Sequence, residues 1–188
     1  MRELCRTFGL SEDLQEVSSV LQRAFLVAFS RQSDIVCVCV GTSKVTGDCF
    51  GTIVGDLLLN AELPLWVYGS SHSNVDAHNI GATLEVVNLV HPNSFVFVVD
   101  AMSTLDPTTV GDVVLGDQYV GLNQGIKIFA DLFVYGVTTY LTHAKRNLNS
   151  KLSITNKLAQ NVCQAISSAL KTAQHRAQLA FLEKLVLV

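Results

Sequence analysis

The sequence predicts a three-layer α/β/α domain built on a mainly parallel sheet with a long C-terminal helical segment. Three observations carry that expectation. The strand-like runs Ile35–Val40 (IVCVCV) and Phe95–Val99 (FVFVV) are short and continuously apolar rather than alternating, as in a sheet covered on both faces. Helical periodicity fills the intervals, so strand, helix, strand, helix, strand follow one another within about 65 residues, the pattern of right-handed parallel crossovers. Of 188 residues, 49% are hydrophobic and 15% charged, with a mean hydropathy of +0.36, enough for one well-filled core.

The elements follow in order. Ser11 reads as a helix N-cap, Glu12 and Asp13 suit the positive end of the helix dipole, and Leu14, Val17, Leu21, Phe25 and Ala28 recur at helical spacing. Ile35–Val40 is the first buried strand, left through Gly41-Thr42-Ser43 and a polar loop to Gly47-Asp48. Cys49–Leu59 has helical spacing and is bounded by Asn60 and Pro64. Leu65–Tyr68 is a second strand, followed by the polar loop Gly69–Asp76, and Asn79–Leu89 is a helix stopped by His91-Pro92-Asn93. Phe95–Val99 is a third buried strand that ends at Asp100. Val110–Leu115 and Leu132–Val137 read as further strands around a glycine-rich loop, Gly116–Gly125. From Thr138 onward the chain has no Gly or Pro and reads as helix, with an apolar stripe at Leu152, Leu158, Val162, Ile166 and Leu170 that the tail Leu179–Val188 continues. The expected organisation is one domain over residues 1–188: an N-terminal helix in 1–30, an α/β core in 31–137 and C-terminal helices in 138–188.

Composition excludes several function classes. The apolar fraction is too large for a disordered chain. The most apolar helical stretch, Val17–Phe29, is interrupted by Gln22 and Arg23, so no membrane span is expected. Thirteen Lys and Arg against sixteen Asp and Glu give a net charge of −3, with no basic footprint for nucleic acid and no polybasic patch for lipid. The N-terminus reaches acidic residues too soon for a secretory signal. Five cysteines lack zinc-like spacing, and Cys37 and Cys39, two apart on a strand, share a face as reduced core residues. The expected compartment is the cytoplasm. Gly116–Gly125 lacks Walker spacing, so no phosphate cradle is expected, and neither cofactor nor metal enters the leading reading.

Two carboxylates occupy special places. Asp48 follows the loop leaving the first strand, at a helix start, and Asp100 follows the third strand. In a doubly wound sheet beginning with the order 2-1-3, strands one and three are neighbours and a crevice opens at their carboxyl ends. Residues 52 apart in sequence are thus expected to meet. Two nearby carboxyls do not both ionise cheaply, so one keeps its proton and the pair becomes an acid and a base. The structural alternatives are a helix N-cap for Asp48 and a loop-ordering role for Asp100. His78 leaves the second strand on the same side as Asp48 and lines the crevice or makes a local hydrogen bond. Cys49, at a helix N-terminus, is either a nucleophile opposed by Asp48 or, the favoured reading, a core thiol.

The block Gly41–Leu58, GTSKVTGDCFGTIVGDLL, resembles the GT-x-x-x-TGD-x-x-GP-x-VG block of the YyaC-type spore proteases of sporulating bacteria. The resemblance runs on through Val67-Tyr68-Gly69, Ala77-His78-Asn79, His91-Pro92-Asn93 and Val99-Asp100-Ala101, and more faintly through Gly121–Lys127 and Leu132–Gly136. That family is similar to the germination protease that degrades small acid-soluble spore proteins, and more distantly to the hydrogenase-maturation endopeptidases. The resemblance implies a phosphorylase/hydrolase-like fold and, at positions matching the germination protease's proposed pair, Asp48 and Asp100 as catalytic residues. In the hydrogenase endopeptidases the corresponding acids bind nickel with a histidine. His78 and Lys127 match family positions and are expected at the substrate, as are Gly47 and Gly51, which would let backbone approach closely. The family's proline after the second glycine is Thr52 here, and the segment after the second acid is Met102-Ser103-Thr104.

The expected function is therefore hydrolysis of a peptide bond in a protein or peptide substrate through Asp48 and Asp100, in the cytoplasm or forespore. Two alternatives stand beside it: an inactive peptidase scaffold that binds a partner, and a metal-dependent hydrolase with Asp48, Asp100 and His78 as ligands. A homo-oligomer is a further expectation, from the hydropathy and the apolar terminal helix.

Overall fold

Strand β2 (Ile35–Cys39) is buried at all five positions, and the other layers are arranged around it. The computed structural model describes residues 6–8, 14–119, 128–141 and 148–186. In chain order the remaining elements are β1 (Arg6–Phe8), α1 (Leu14–Ser30), α2 (Phe50–Leu59), β3 (Trp66–Tyr68), α3 (Ile80–Val90), β4 (Phe95–Thr104), β5 (Val113–Gly116), β6 (Leu132–Leu141), β7 (Leu148–Ser150) and α4 (Leu152–Val186). A 3-10 turn, Pro107–Thr109, follows β4. The sheet runs β1-β5-β6-β4-β2-β3, with β7 beside β6. Strands β3, β2, β4 and β6 are parallel, while β5, β1 and β7 pair antiparallel.

The expected order of the first three core strands, 2-1-3, is the observed β3-β2-β4. Side-chain parity then divides the core. Cys37, Cys39, Phe97, Val99 and Val134 pack under α1, α2 and α4, and Val36, Val38, Val98, Phe133 and Tyr135 pack toward α3. The two cysteine sulfurs lie 3.4 Å apart, and burial raises the Cys37 thiol well above its ordinary range, with Cys39 adding to the rise. Among the described residues no helix is long and apolar enough to cross a membrane.

Several expected boundaries are corrected. Asp100 does not end its strand but is the sixth of ten residues in β4, because β6 continues alongside as far as Thr104 and Tyr140, with one register shift after Met102. Thr138 does not begin a helix: β-branched and aromatic Val137-Thr138-Thr139-Tyr140 extend β6 to Leu141, and β7 pairs back on it. The C-terminal helices are one helix of 35 residues. Its stripe Leu158, Val162, Ile166 and Leu170 is buried, but Leu152, Leu179, Phe181 and Leu182 are exposed, since α4 is twice as long as the 17-residue α1 it packs against. Arg6–Phe8, expected in the helical N-terminal region, is a strand held by β5. Ser11 and residues 120–125 of the glycine-rich loop lie outside the described residues.

The turn from β2 into α2 has no room for side chains. Gly41 adopts φ +149°, and a Cβ there would run into the Asp48 carbonyl oxygen. A Cβ on Gly51 would run into the Val40 carbonyl oxygen. Both obstacles are backbone, so Gly51→Ala is expected to lower stability by about 2 kcal/mol or more. Chemical denaturation measures this, and an unchanged midpoint would contradict the close approach.

Candidate active site

Asp100 lies on the α3 side of β4, opposite Tyr135 of β6, and is 7% exposed. Its carboxylate accepts the Ala101 N–H at 2.7 Å on Oδ1 and the Tyr119 hydroxyl at 3.1 Å on Oδ2. Tyr119 follows β5, with its ring against Phe133 and Tyr135 at centroid separations of 5.7 and 6.5 Å. The Tyr135 hydroxyl donates to the Gln118 carbonyl at 3.1 Å and so ties that segment to β6. Burial pushes the Asp100 carboxyl up to about 7; its two hydrogen bonds oppose the rise and the Asp48 charge adds to it. Burial also raises the Tyr119 phenol, together with the Asp100 charge.

Asp48 stands in the turn before α2 and is half-buried. It is not the helix N-cap. That position is Cys49, whose side chain makes no cap bond, and the Asp48 carboxylate instead accepts the Thr42 N–H at 3.0 Å. Partial burial raises its pKa, the Thr42 N–H lowers it, and the Asp76 charge raises it again. The charge of Asp48 adds to the rise at both Asp100 and Tyr119. The Val40 N–H donates to the Val99 carbonyl at 2.7 Å, so the turn that carries Asp48 leaves β2 alongside the residue that precedes Asp100 in β4.

The other expected site residues are placed differently. Gly47 and Gly51 are buried, and their bare Cα sides face the protein itself, Gly47 the Thr139 hydroxyl and Gly51 the Val40 carbonyl. His78 is exposed in the turn before α3, where its backbone N–H donates to the Asp76 carboxylate at 2.9 Å, and the Asp76 charge raises the Asp48 carboxyl. Lys127 lies outside the described residues. The Cys49 thiol is buried and donates to the Thr46 carbonyl at 2.9 Å; burial raises its pKa, and its own backbone amide only partly offsets this. Among the described residues no three of His, Cys, Asp and Glu gather in a way that could hold a metal ion, so Asp48, Asp100 and His78 do not form a ligand set.

Two contributions escape sequence reasoning. Tyr119 lies in a loop that carries no motif. Thr138 and Thr139 are brought onto one side of β6 by a bulge opposite Met102 and Ser103, and their hydroxyls lie 3.3 Å apart beneath Gly47.

The shift at Asp100 has a sign in stability. Below its unfolded pKa both states are protonated. As pH rises from about 4 to about 7 the unfolded chain releases a proton that the folded chain keeps, so stability falls by on the order of 4 kcal/mol and then levels off. Asp100→Asn is expected to remove that slope, with its gain in Tm over wild type larger at about pH 8 than at about pH 4; an equal gain at both would contradict the buried acid. Tyr119→Phe removes a donor to the carboxylate, so carboxyl-carbon NMR is expected to show Asp100 titrating higher than in wild type, and a fall would contradict the hydrogen bond.

Over 139 residues the chain is 30% identical to "Uncharacterized protein YyaC" of Bacillus subtilis (strain 168), an alignment covering 68% of this chain and 67% of that protein. Residues 10–128 match the family described as "Protein of unknown function (DUF1256)". That span contains the Asp48 turn, β4 with Asp100, and Tyr119, and on it the chain belongs to the DUF1256 family.

Proposed function

We propose that this protein is a sporulation-associated peptidase, acting in the cytoplasm or forespore, that hydrolyses a peptide bond in a protein substrate with Asp48 as general base and Asp100 as general acid. The observation that carries the reading is the burial of Asp100, which pushes its carboxyl up to about 7 with the Asp48 charge adding to the rise. The spore setting rests on the likeness of Gly41–Leu58 and Val99-Asp100-Ala101 to the spore-protease blocks.

Ionised Asp48 takes a proton from water as the water oxygen adds to the scissile carbonyl carbon. Protonated Asp100 donates to the carbonyl oxygen, and Ala101 N–H and Tyr119 keep its carboxyl oriented. As the tetrahedral intermediate collapses, the proton on Asp48 passes to the leaving nitrogen, the C–N bond breaks, and the carbonyl proton returns to Asp100. Thr52, where the family carries proline, is buried, and its hydroxyl donates to the Cys49 carbonyl at 2.8 Å. That departure is absorbed within α2 and leaves the Asp48 turn closed on Thr42, which favours a working site over an emptied scaffold.

The test is to incubate the protein with a mixture of denatured bacterial proteins and count new amino termini by mass spectrometry. Wild type is expected to generate a defined set, and Asp48→Asn and Asp100→Asn to lose it by roughly a factor of 100 to 10,000 while keeping the wild-type circular dichroism. Cleavage is expected to decline above about pH 7, as Asp100 loses its proton. The same termini at the same rate from both variants would overturn the mechanism.

A further inference from the structure

At the opposite end of the sheet from the aspartate pair, a depression of about 410 Å³ opens beside the start of β2 and the edge strand β3. Phe29, Leu63, Pro64 and Trp66 supply its apolar walls, and Ser33 and Asp34 its polar ones. Trp66 is the protein's single tryptophan and is 55% exposed, an unusual place for the largest apolar side chain. The Asp34 side chain is 54% exposed.

Behind both lies a buried histidine. His91, 4% exposed at the end of α3, places Nδ1 3.0 Å from Asp34 Oδ2 and Nε2 3.1 Å from the Tyr68 hydroxyl. A carboxylate only accepts, so Nδ1 carries the proton; in the neutral ring Nε2 then accepts from Tyr68. The Trp66 ring rests on the His91 ring with centroids 4.9 Å apart and planes at 40°. One imidazole therefore fixes both a carboxylate and an indole at the mouth of one depression, using three separate segments of chain to do so.

The geometry points to this depression as a binding site for a lysine or arginine side chain presented by a protein partner. A cationic head on an apolar stem matches its chemistry in each part. The indole face attracts a cation through its quadrupole, Asp34 supplies the countercharge, and the apolar walls cover the methylenes. No Lys or Arg lines the depression, and among the described residues the only ion pair of Asp34 is with His91, so the carboxylate is not already matched by a stronger cation. An anion would be repelled by the half-exposed Asp34 carboxylate, and a purely apolar group would strip water from it without replacing those hydrogen bonds. Leu89 and Val90, the two residues before the anchoring His91, are both exposed, and a peptide offers apolar neighbours to such side chains where a free amine does not.

Because Trp66 is the sole tryptophan, its fluorescence reports from the site itself. The experiment titrates the protein with acetyl-Leu-Lys-Leu-amide and, in parallel, with acetyl-Leu-norleucine-Leu-amide, which keeps the stem and removes the charge. A saturable change with the lysine peptide, weaker by roughly tenfold or more with the norleucine peptide and in Asp34→Asn, is the expected result. Equal affinity for the two peptides, undiminished affinity in Asp34→Asn, or no saturable response to the lysine peptide would each overturn the site. The two-peptide comparison on wild type needs no variant, so it decides even if Asp34→Asn is destabilised through His91.

Discussion

Helix α2 meets the ends of β2 and β3 backbone against backbone, and the position of every group at the rim depends on that contact. A Cβ on Gly41 would strike the Asp48 carbonyl, one on Gly51 the Val40 carbonyl, one on Gly55 the Gly69 carbonyl and one on Gly69 the Cys39 carbonyl. Gly51 and Gly55 therefore let the helix sit lower on the sheet than any side chain would allow, while Gly41 and Gly69 let the strand ends close on the turn and on β2. The consequence is chemical as well as steric. The turn from Gly41 to Asp48 folds back on itself, the Thr42 N–H is aimed at the Asp48 carboxylate, and the helix needs no side-chain cap at its start. A looser turn would return Asp48 to the ordinary work of capping α2.

Strand parity supplies the other half. Asp100 shares its face with Val96 and Val98, under α3, while Phe97 and Val99 point into the larger core beneath α1, α2 and α4. A slip of one residue would push the carboxyl into that larger core and expose the apolar side chains meant for it. The pairing of Ile35–Cys39 with Phe95–Val99 along the whole of β2 makes such a slip costly. The irregularity in β6 comes only after Met102, beyond Asp100, so the bulge gathers Thr138 and Thr139 without disturbing the acid's register.

The parallel core was legible because its rules are few. Continuous apolar runs such as IVCVCV and FVFVV mark buried strands, and the handedness of the crossovers then fixes which strand ends are neighbours. Asp48 and Asp100 could be paired on those grounds alone. What escaped depends on partners the chain reaches later. A polar residue after FVFVV looks like an end until β6 is known to continue beside it, and Thr138–Leu141 looks helical until β7 is known to pair back. Tyr119 is the sharpest case. Its contact with Asp100 requires β5 to cross over β6 and return antiparallel, and Tyr135 must then hold Gln118, none of which leaves a local mark.

Asp100 and Asp106 are shifted in opposite directions. Asp106 caps the 3-10 turn, taking the Thr108 N–H and hydroxyl, and those bonds hold its carboxyl below the ordinary range, so its charge stabilises the fold. Asp131 takes the Val96 N–H at 2.8 Å at the start of β4 and fixes the strand's entry. Asp100, in the same strand, is shifted the opposite way: the fold resists its charge and is least stable where the acid ionises. Asparagine could accept the Tyr119 hydroxyl or the Ala101 N–H at that position without such a penalty. A buried carboxyl that weakens its own scaffold as it ionises is the kind of group on which the proposed acid role rests.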